Sequence, residues 1–100
     1  MSGSVRRNIR TKEYKKLLEK LPQRAVDLAD KAYRLFLVAP SHPSLTHHQL
    51  TDTKKGQHRR GSCAVHIGTQ WCAIYVPDGD VNVWYWVGTH ESYNNFTGLK

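Results

Sequence analysis

The residues best suited to chemistry follow the last apolar run of the chain, where His90, Glu91 and Tyr93 come directly after Gly88. The preceding residues, 81–87, are rich in Val, Trp and Tyr, which favour a half-buried β-strand. Catalytic and binding side chains concentrate where a chain leaves such a rigid element. An imidazole and a phenol at this point therefore predict acid–base chemistry or ligand binding at the end of a strand.

A second pair of reactive residue types, Cys72 and His66, lies on either side of a predicted turn. If residues 68–70 form a hairpin loop, Ile67 pairs with Trp71, and His66 pairs with Cys72 on one face of the hairpin. Directly opposed residues have Cβ atoms about 5 Å apart, so the thiol and the imidazole would meet. His66 would then accept the proton of Cys72 and leave a thiolate nucleophile for acyl transfer. The alternative is a small buried cysteine beside an uninvolved histidine.

Metal binding is a weaker interpretation of the same residues. Cys72, His66 and His90 together would offer three ligands, which measurement of zinc content would test. His47 and His48 are adjacent rather than at a recognised ligand spacing, and the sequence contains no CxxC or HExxH pattern. We therefore expect no metal and no cofactor.

The chain is basic, and part of its charge lies in a polar segment, residues 41–61. Fifteen Lys and Arg against eight Asp and Glu give a formal net charge of +7, which favours nucleic acid or an acidic protein as partner. Within the segment, Lys54, Lys55, Arg59 and Arg60 are the candidates for contact with RNA phosphates, if the protein acts on RNA. A solvated connection is the alternative.

Length and composition predict one domain over residues 1–100, with residues 1–4 as a disordered leader. A chain of 100 residues can bury an adequate core without metal or disulfide support. Two cysteines do not make the framework of a small secreted protein, and no apolar stretch approaches a membrane span or a signal peptide. We expect a cytoplasmic protein without membrane contact.

The elements that must position these groups follow from the spacing of apolar residues. Residues 5–9 predict a short strand, Thr11 a helix cap, and Pro22 the boundary to a second helix that ends near Ala39. Three further strands are predicted at residues 63–67, 71–76 and 81–87, joined by hairpin turns. This order predicts an α+β fold in which helices cover one face of an antiparallel meander and the site lies on the other, exposed face.

Two segments resemble the RelE/ParE superfamily of bacterial toxins from toxin–antitoxin pairs, which includes RelE and HigB. They are residues 21–45, LPQRAVDLADKAYRLFLVAPSHPSL, and residues 83–93, VWYWVGTHESY, and the resemblance extends over nearly the whole chain. It implies a RelE-like toxin fold and a cytoplasmic protein. In the RelE and HigB branches it also implies cleavage of messenger RNA on the ribosome without metal, and silencing by an antitoxin.

The chain departs from this family at two positions. His90 and Tyr93 match the terminal pattern, but His66 and Cys72 stand where relatives carry arginine. Arginine offers phosphate a planar fork of donors, and neither neutral histidine nor cysteine replaces it. The resemblance therefore implies a toxin scaffold with an altered site.

Three functions are compatible with these residues. The interpretation we favour from sequence is a rebuilt toxin scaffold, of natural or engineered origin, in which Cys72 and His66 hydrolyse a small activated ester. The second is a RelE/HigB-type messenger-RNA endoribonuclease that uses His90 and Tyr93, with ribosome-bound mRNA and a cognate antitoxin as partners. The third is a toxin-fold binding protein without catalysis.

Overall fold

The computed structural model describes residues 6–98. The leader predicted for residues 1–4 and Val5 of the first predicted strand lie outside this range. The elements, in chain order, are β1 Arg7–Arg10, α1 Lys12–Glu19, α2 Gln23–Val38, a 3-10 turn Pro43–Leu45, β2 His48–Gln49, β3 Cys63–Ile67, β4 Trp71–Asp78, β5 Val81–Thr89 and α3 His90–Thr97. The predicted strand, pair of helices and three-strand meander are confirmed, whereas β2 and α3 were not expected.

The boundaries of α1 and α2 follow from local residue chemistry. The hydroxyl of Thr11 accepts a hydrogen bond from the backbone N–H of Tyr14, at 3.2 Å, and so caps α1 as expected. Pro22 stands at the N-cap of α2, so this proline opens the second helix and does not end the first. Among residues 6–98, no helix is both long and apolar enough to cross a membrane.

The sheet has five strands in the order β1-β5-β4-β3-β2. Strands β3, β4 and β5 form the antiparallel meander, β2 adds to its β3 edge, and β1 pairs with β5 in parallel. Gly68 and Gly79 both have φ of +61° at the hairpin turns, a conformation that glycine adopts without steric cost. The meander therefore holds the ends of β3, β4 and β5 in fixed register.

Helices α1 and α2 cover one face of the sheet, and Trp84 lies at the centre of this layer. Its ring meets Tyr33 and Phe36 edge-on, with centroids 5.4 and 5.0 Å away, and its indole N–H donates to Asn8 Oδ1 at 3.0 Å. The strand residues that face the helices are Cys63, Val65, Ile67, Trp71 and Tyr75.

The opposite face of the sheet is also covered, which corrects the expected exposed face. The third helix packs there over a second buried cluster that contains Cys72, Ile74, Tyr85 and Trp86. An irregularity in the β4–β5 pairing at Ile74 leaves Tyr85 without an opposite residue, so Tyr85 and Trp86 both point toward α3. The candidate site therefore lies at the margin of this packed layer, where α3 begins.

Candidate functional site

The strand register brings the predicted site residues together. His66 pairs with Cys72 across the first hairpin, as predicted, and Cys72 pairs on its other side with Gly88 of β5. A Cβ atom at Gly88 would lie 2.8 Å from the ring of Trp86, so a side chain at this position would require that ring to move. Two residues later, His90 begins α3. Three neighbouring chain segments thus meet at one end of the meander.

Imidazole rings converge at this end of the meander. We refer to His48, His66 and His90, together with Tyr93 and Cys72, as the histidine cluster. The ring centroid of His66 lies 6.1 Å from that of His48 and 5.3 Å from that of His90. The ring of Tyr93 lies 5.7 Å from His90. Such a set of imidazoles can accept, donate and relay protons near neutral pH.

The contacts of His48 fix the orientation of its ring. Its Nδ1 lies 2.8 Å from the carbonyl oxygen of Thr46 and its Nε2 lies 3.2 Å from the hydroxyl of Tyr93. A carbonyl only accepts, so Nδ1 carries a proton and donates it to Thr46. In the neutral ring, Nε2 therefore accepts from the Tyr93 hydroxyl, whose pKa is raised to about 12 by burial, with a further contribution from Cys72.

His66 is held toward its neutral form. Burial lowers the pKa of its imidazole below the usual 6.5, and the neighbouring His90 and His48 lower it further. A neutral imidazole has one nitrogen free to accept a proton, so His66 is suited to act as a base near neutral pH.

Cys72 lacks the properties of an activated nucleophile. The residue is fully buried, with 0% of its surface exposed, and desolvation raises the pKa of its thiol to about 12. Reactive cysteines are instead partly exposed and have lowered pKa values. The pairing of Cys72 with His66 is as predicted, but burial prevents the thiolate that ester hydrolysis requires.

Thiol reactivity tests this assignment. In a Cys63→Ala variant, which leaves Cys72 as the only thiol, we expect reaction with an aromatic disulfide at pH 8 to be slower by about 10³-fold in the native state than in urea, because so little thiolate forms. The rate at which the reagent releases its aromatic thiolate, measured by absorbance, checks this. Equal rates in the two states would restore Cys72 as a candidate nucleophile.

The predicted RNA-binding residues lie on an exposed loop that is tied to α3. The Thr53 hydroxyl donates to the carbonyl of Thr97 at 3.1 Å, and the backbone N–H of Gln57 donates to the carbonyl of Phe96 at 2.7 Å. Lys54 and Lys55 lie between these two anchors and are exposed. The loop therefore has a fixed attachment on the same side of the sheet as the histidine cluster.

Arg59 and Arg60 are both exposed, but their side chains contact different partners. The guanidinium carbon of Arg59 lies 4.7 Å from the ring centroid of Tyr85, while Nε of Arg60 lies 3.3 Å from a carboxylate oxygen of Asp52. Because the Arg60 side chain is 92% exposed, solvent weakens this ion pair and leaves the cation available to another anion.

A groove of about 130 Å³ lies beside the histidine cluster. It is lined by His48, Gln49, Leu50, Thr51, Tyr93 and Thr97. Its lining includes the paired imidazole and phenol of His48 and Tyr93, and also Thr97, whose carbonyl accepts the Thr53 hydrogen bond.

A larger cavity, about 450 Å³, lies elsewhere, between α2 and the sheet. Its lining includes Arg6, Leu37, His47 and Tyr75, and His47 Nε2 lies 2.6 Å from the Tyr75 hydroxyl. The adjacent His47 and His48 thus belong to different sites. We place the chemistry at the histidine cluster because several titratable groups meet there.

His48 is the site residue that sequence reasoning missed. Its position next to His47 in the sequence gives no link to His66, but β2 pairs it with Ala64 and so places it beside His66. A strand of two residues has no period that a sequence pattern could reveal. The ligand atoms of His66, Cys72 and His90 also lie within 4.8 Å of one another, which makes these residues able to hold a metal ion.

No protein-family model matches the chain, and no curated protein sequence matches it. Among solved structures, YafQ from E. coli has 16% identity and a TM-score of 0.67, over 88% of this chain and 97% of that one. A chain of the E. coli DinJ-YafQ toxin-antitoxin complex has 16% identity and a TM-score of 0.67, over 89% and 97%. A copper-bound mutant toxin from Helicobacter pylori has 16% identity and a TM-score of 0.55, over 87% and 97%. These similarities confirm the RelE-like toxin fold.

Proposed function

We propose that this chain is the toxin of a toxin–antitoxin pair and an endoribonuclease whose active site is the histidine cluster. Support comes from its fold, which it shares with toxins, and above all from the meeting of His48, His66 and His90, of which His48 lines a groove together with Tyr93. Two of these imidazoles, His66 and His90, stand where the family resemblance predicts site residues, and all three supply acid–base groups despite the missing arginines.

The proposed reaction begins with attack of a ribose 2′-hydroxyl on the adjacent phosphorus. His66, held neutral by burial, accepts the hydroxyl proton. His48 in its protonated form gives a proton from Nε2 to the departing 5′-oxygen, while Thr46 holds its Nδ1–H. The products are a 2′,3′-cyclic phosphate and a 5′-hydroxyl. Tyr93 keeps its own proton and orients His48.

The positive charge that binds the RNA phosphates is proposed to come from two sources in the protein. Imidazolium at the cluster is a cation close to the reacting phosphate. Lys54, Lys55, Arg59 and Arg60, all exposed, bind phosphates farther along the strand. This division places the permanent charges in the loop and not on β3 and β4, where the resemblance predicts arginines.

The proposed partners are translated messenger RNA and a cognate antitoxin. The antitoxin is supported by the neighbour that is a DinJ-YafQ toxin-antitoxin complex, and the net charge of +7 favours an acidic partner. Action on translated messages would place the protein in the cytoplasm.

Ester hydrolysis by an engineered Cys72–His66 pair is the weaker proposal. The thiol is buried and its pKa is raised, so the pair lacks the thiolate on which that mechanism depends. The neighbours in structure are toxins, and none is described as an esterase. The ribonuclease interpretation uses the same imidazoles without a nucleophilic thiol.

The proposal is tested by adding the purified protein to a translating cell-free extract and mapping the ends of a reporter message. We expect cuts that leave 2′,3′-cyclic phosphate and 5′-hydroxyl ends. A His42→Gln variant, changed at an exposed histidine outside the cluster, serves as the matched control and should cut equally. Intact message, with translation continuing normally, would refute the ribonuclease and leave the non-catalytic binding protein.

A further inference from the structure

We propose that His66, Cys72 and His90 form a site for zinc. Their ligand atoms, one from each residue, all lie within 4.8 Å of one another. The three residues come from β3, β4 and the first turn of α3, so the sheet register and the start of the helix hold their backbones in place. Two imidazole nitrogens and one sulfur form a donor set that zinc prefers in proteins.

The geometry requires only small side-chain movements. Zinc binds sulfur at about 2.3 Å and imidazole nitrogen at about 2.0–2.1 Å, so tetrahedral ligands lie roughly 3.3–3.6 Å apart. Closing the ligand atoms from 4.8 Å to this separation is a change of about 1 Å that rotation of the half-buried His66 and His90 side chains can provide. Cys72 stays fixed beneath them.

Binding is an exchange of a metal ion for a proton. Zinc forms a bond to the Cys72 sulfur, the S–H bond breaks, the sulfur keeps the electron pair, and the proton goes to solvent. No oxidation or reduction takes place. The two imidazoles bind through a lone pair in their neutral form, and water takes the fourth position.

The environment of the sulfur favours a metal-bound thiolate over a free one. Cys72 is packed among apolar side chains, including Ala64, Ile74 and Trp86. A bare thiolate there would be an uncompensated charge, and this is why Cys72 is a poor nucleophile. A zinc ion would compensate that charge directly. The feature that argues against the esterase is therefore compatible with a metal site.

Zinc in this site would engage two of the imidazoles that we assign to the nuclease. Inhibition of RNA cleavage by zinc follows from this overlap, and this consequence rests on the proposed function. Zinc binding itself does not, because it depends only on the three ligands.

The experiment uses the full, tag-free chain under a non-chelating reductant. Zinc affinity is measured by competition with a chromophoric chelator, and cobalt is substituted to look for the absorption of a thiolate–cobalt bond. We expect one ion per chain and a thiolate band. We expect a loss of zinc affinity in each of the variants Cys72→Ala, His66→Gln and His90→Gln. The loss should exceed the factor of about 10–100 that is typical when a residue next to a metal ligand is replaced. Cys63→Ala and His42→Gln are the matched controls and should bind normally.

Two outcomes would overturn the zinc site: no binding of one ion per chain, or binding that Cys72→Ala leaves unchanged in a variant shown by circular dichroism to be folded. Cleavage of the reporter message, with and without zinc, separates the two proposals. Zinc bound through these ligands by a protein that cuts no RNA would refute the nuclease alone. RNA cleavage by a protein that binds no zinc would refute the metal site alone.

Discussion

Replacing His66 by glutamine is expected to lower the rate of RNA cleavage by about 10²- to 10⁴-fold, the usual contribution of a positioned base. Glutamine keeps a polar side chain of similar reach but cannot accept a proton from a hydroxyl. His66 is the central member of the cluster, with His48 on one side and His90 on the other, so no second imidazole can take its place without moving. Single-turnover cleavage of a reporter message measures the loss.

Stability and pH separate this catalytic effect from a structural one. His66 is only half-buried and no core contact depends on its charge, so the thermal midpoint should change little. Since the pKa of His66 is lowered below 6.5, the neutral base is present above that lowered value, and wild-type activity should rise with pH through it. The variant should lose this rise. A His66→Gln protein that cuts at the wild-type rate would remove His66 from the mechanism.

The hairpin around Gly68 shows what the sequence could predict. Alternation of apolar residues and a short glycine-containing turn fix the β3–β4 register, and the predicted pairing of His66 with Cys72 is observed. The capping of α1 by Thr11 followed from an equally local rule. Such features depend on residues that are close in sequence, so the local residue pattern is enough to predict them.

The features that the sequence did not reveal depend on contacts across the fold. The α3 helix buries only Tyr93 and Thr97, so its apolar period is weak, and its start at Thr89 is visible only as a possible cap. Strand β2 exists because β3 offers an edge to His48. Burial of Cys72 likewise depends on α3, and for this reason the sequence suggested a reactive thiol where the fold has a desolvated one.

Replacing Trp84 by alanine is expected to cost about 3–5 kcal/mol of folding free energy, the range for an aromatic side chain removed from a core. Trp84 is 2% exposed and contacts both helices through Tyr14 and Tyr33, while its N–H bonds Asn8 of β1. One residue therefore joins α1, α2, β1 and β5. For a domain of this size, such a loss lowers the melting temperature by at least about 12 °C, which calorimetry would measure.

Trp84→Phe and Val38→Ala are the controls for this prediction. Phenylalanine keeps an aromatic ring but removes the hydrogen bond to Asn8, so the loss of folding free energy should be clearly smaller than for alanine. Val38 is 82% exposed, so its replacement should change the folding free energy little. Since β5 continues directly into the turn of α3 that presents His90, the folded fraction of Trp84→Ala should still hold the cluster and bind ligands normally. A melting temperature within about 4 °C of wild type, equivalent to about 1 kcal/mol, would show that the helix layer is held by other contacts.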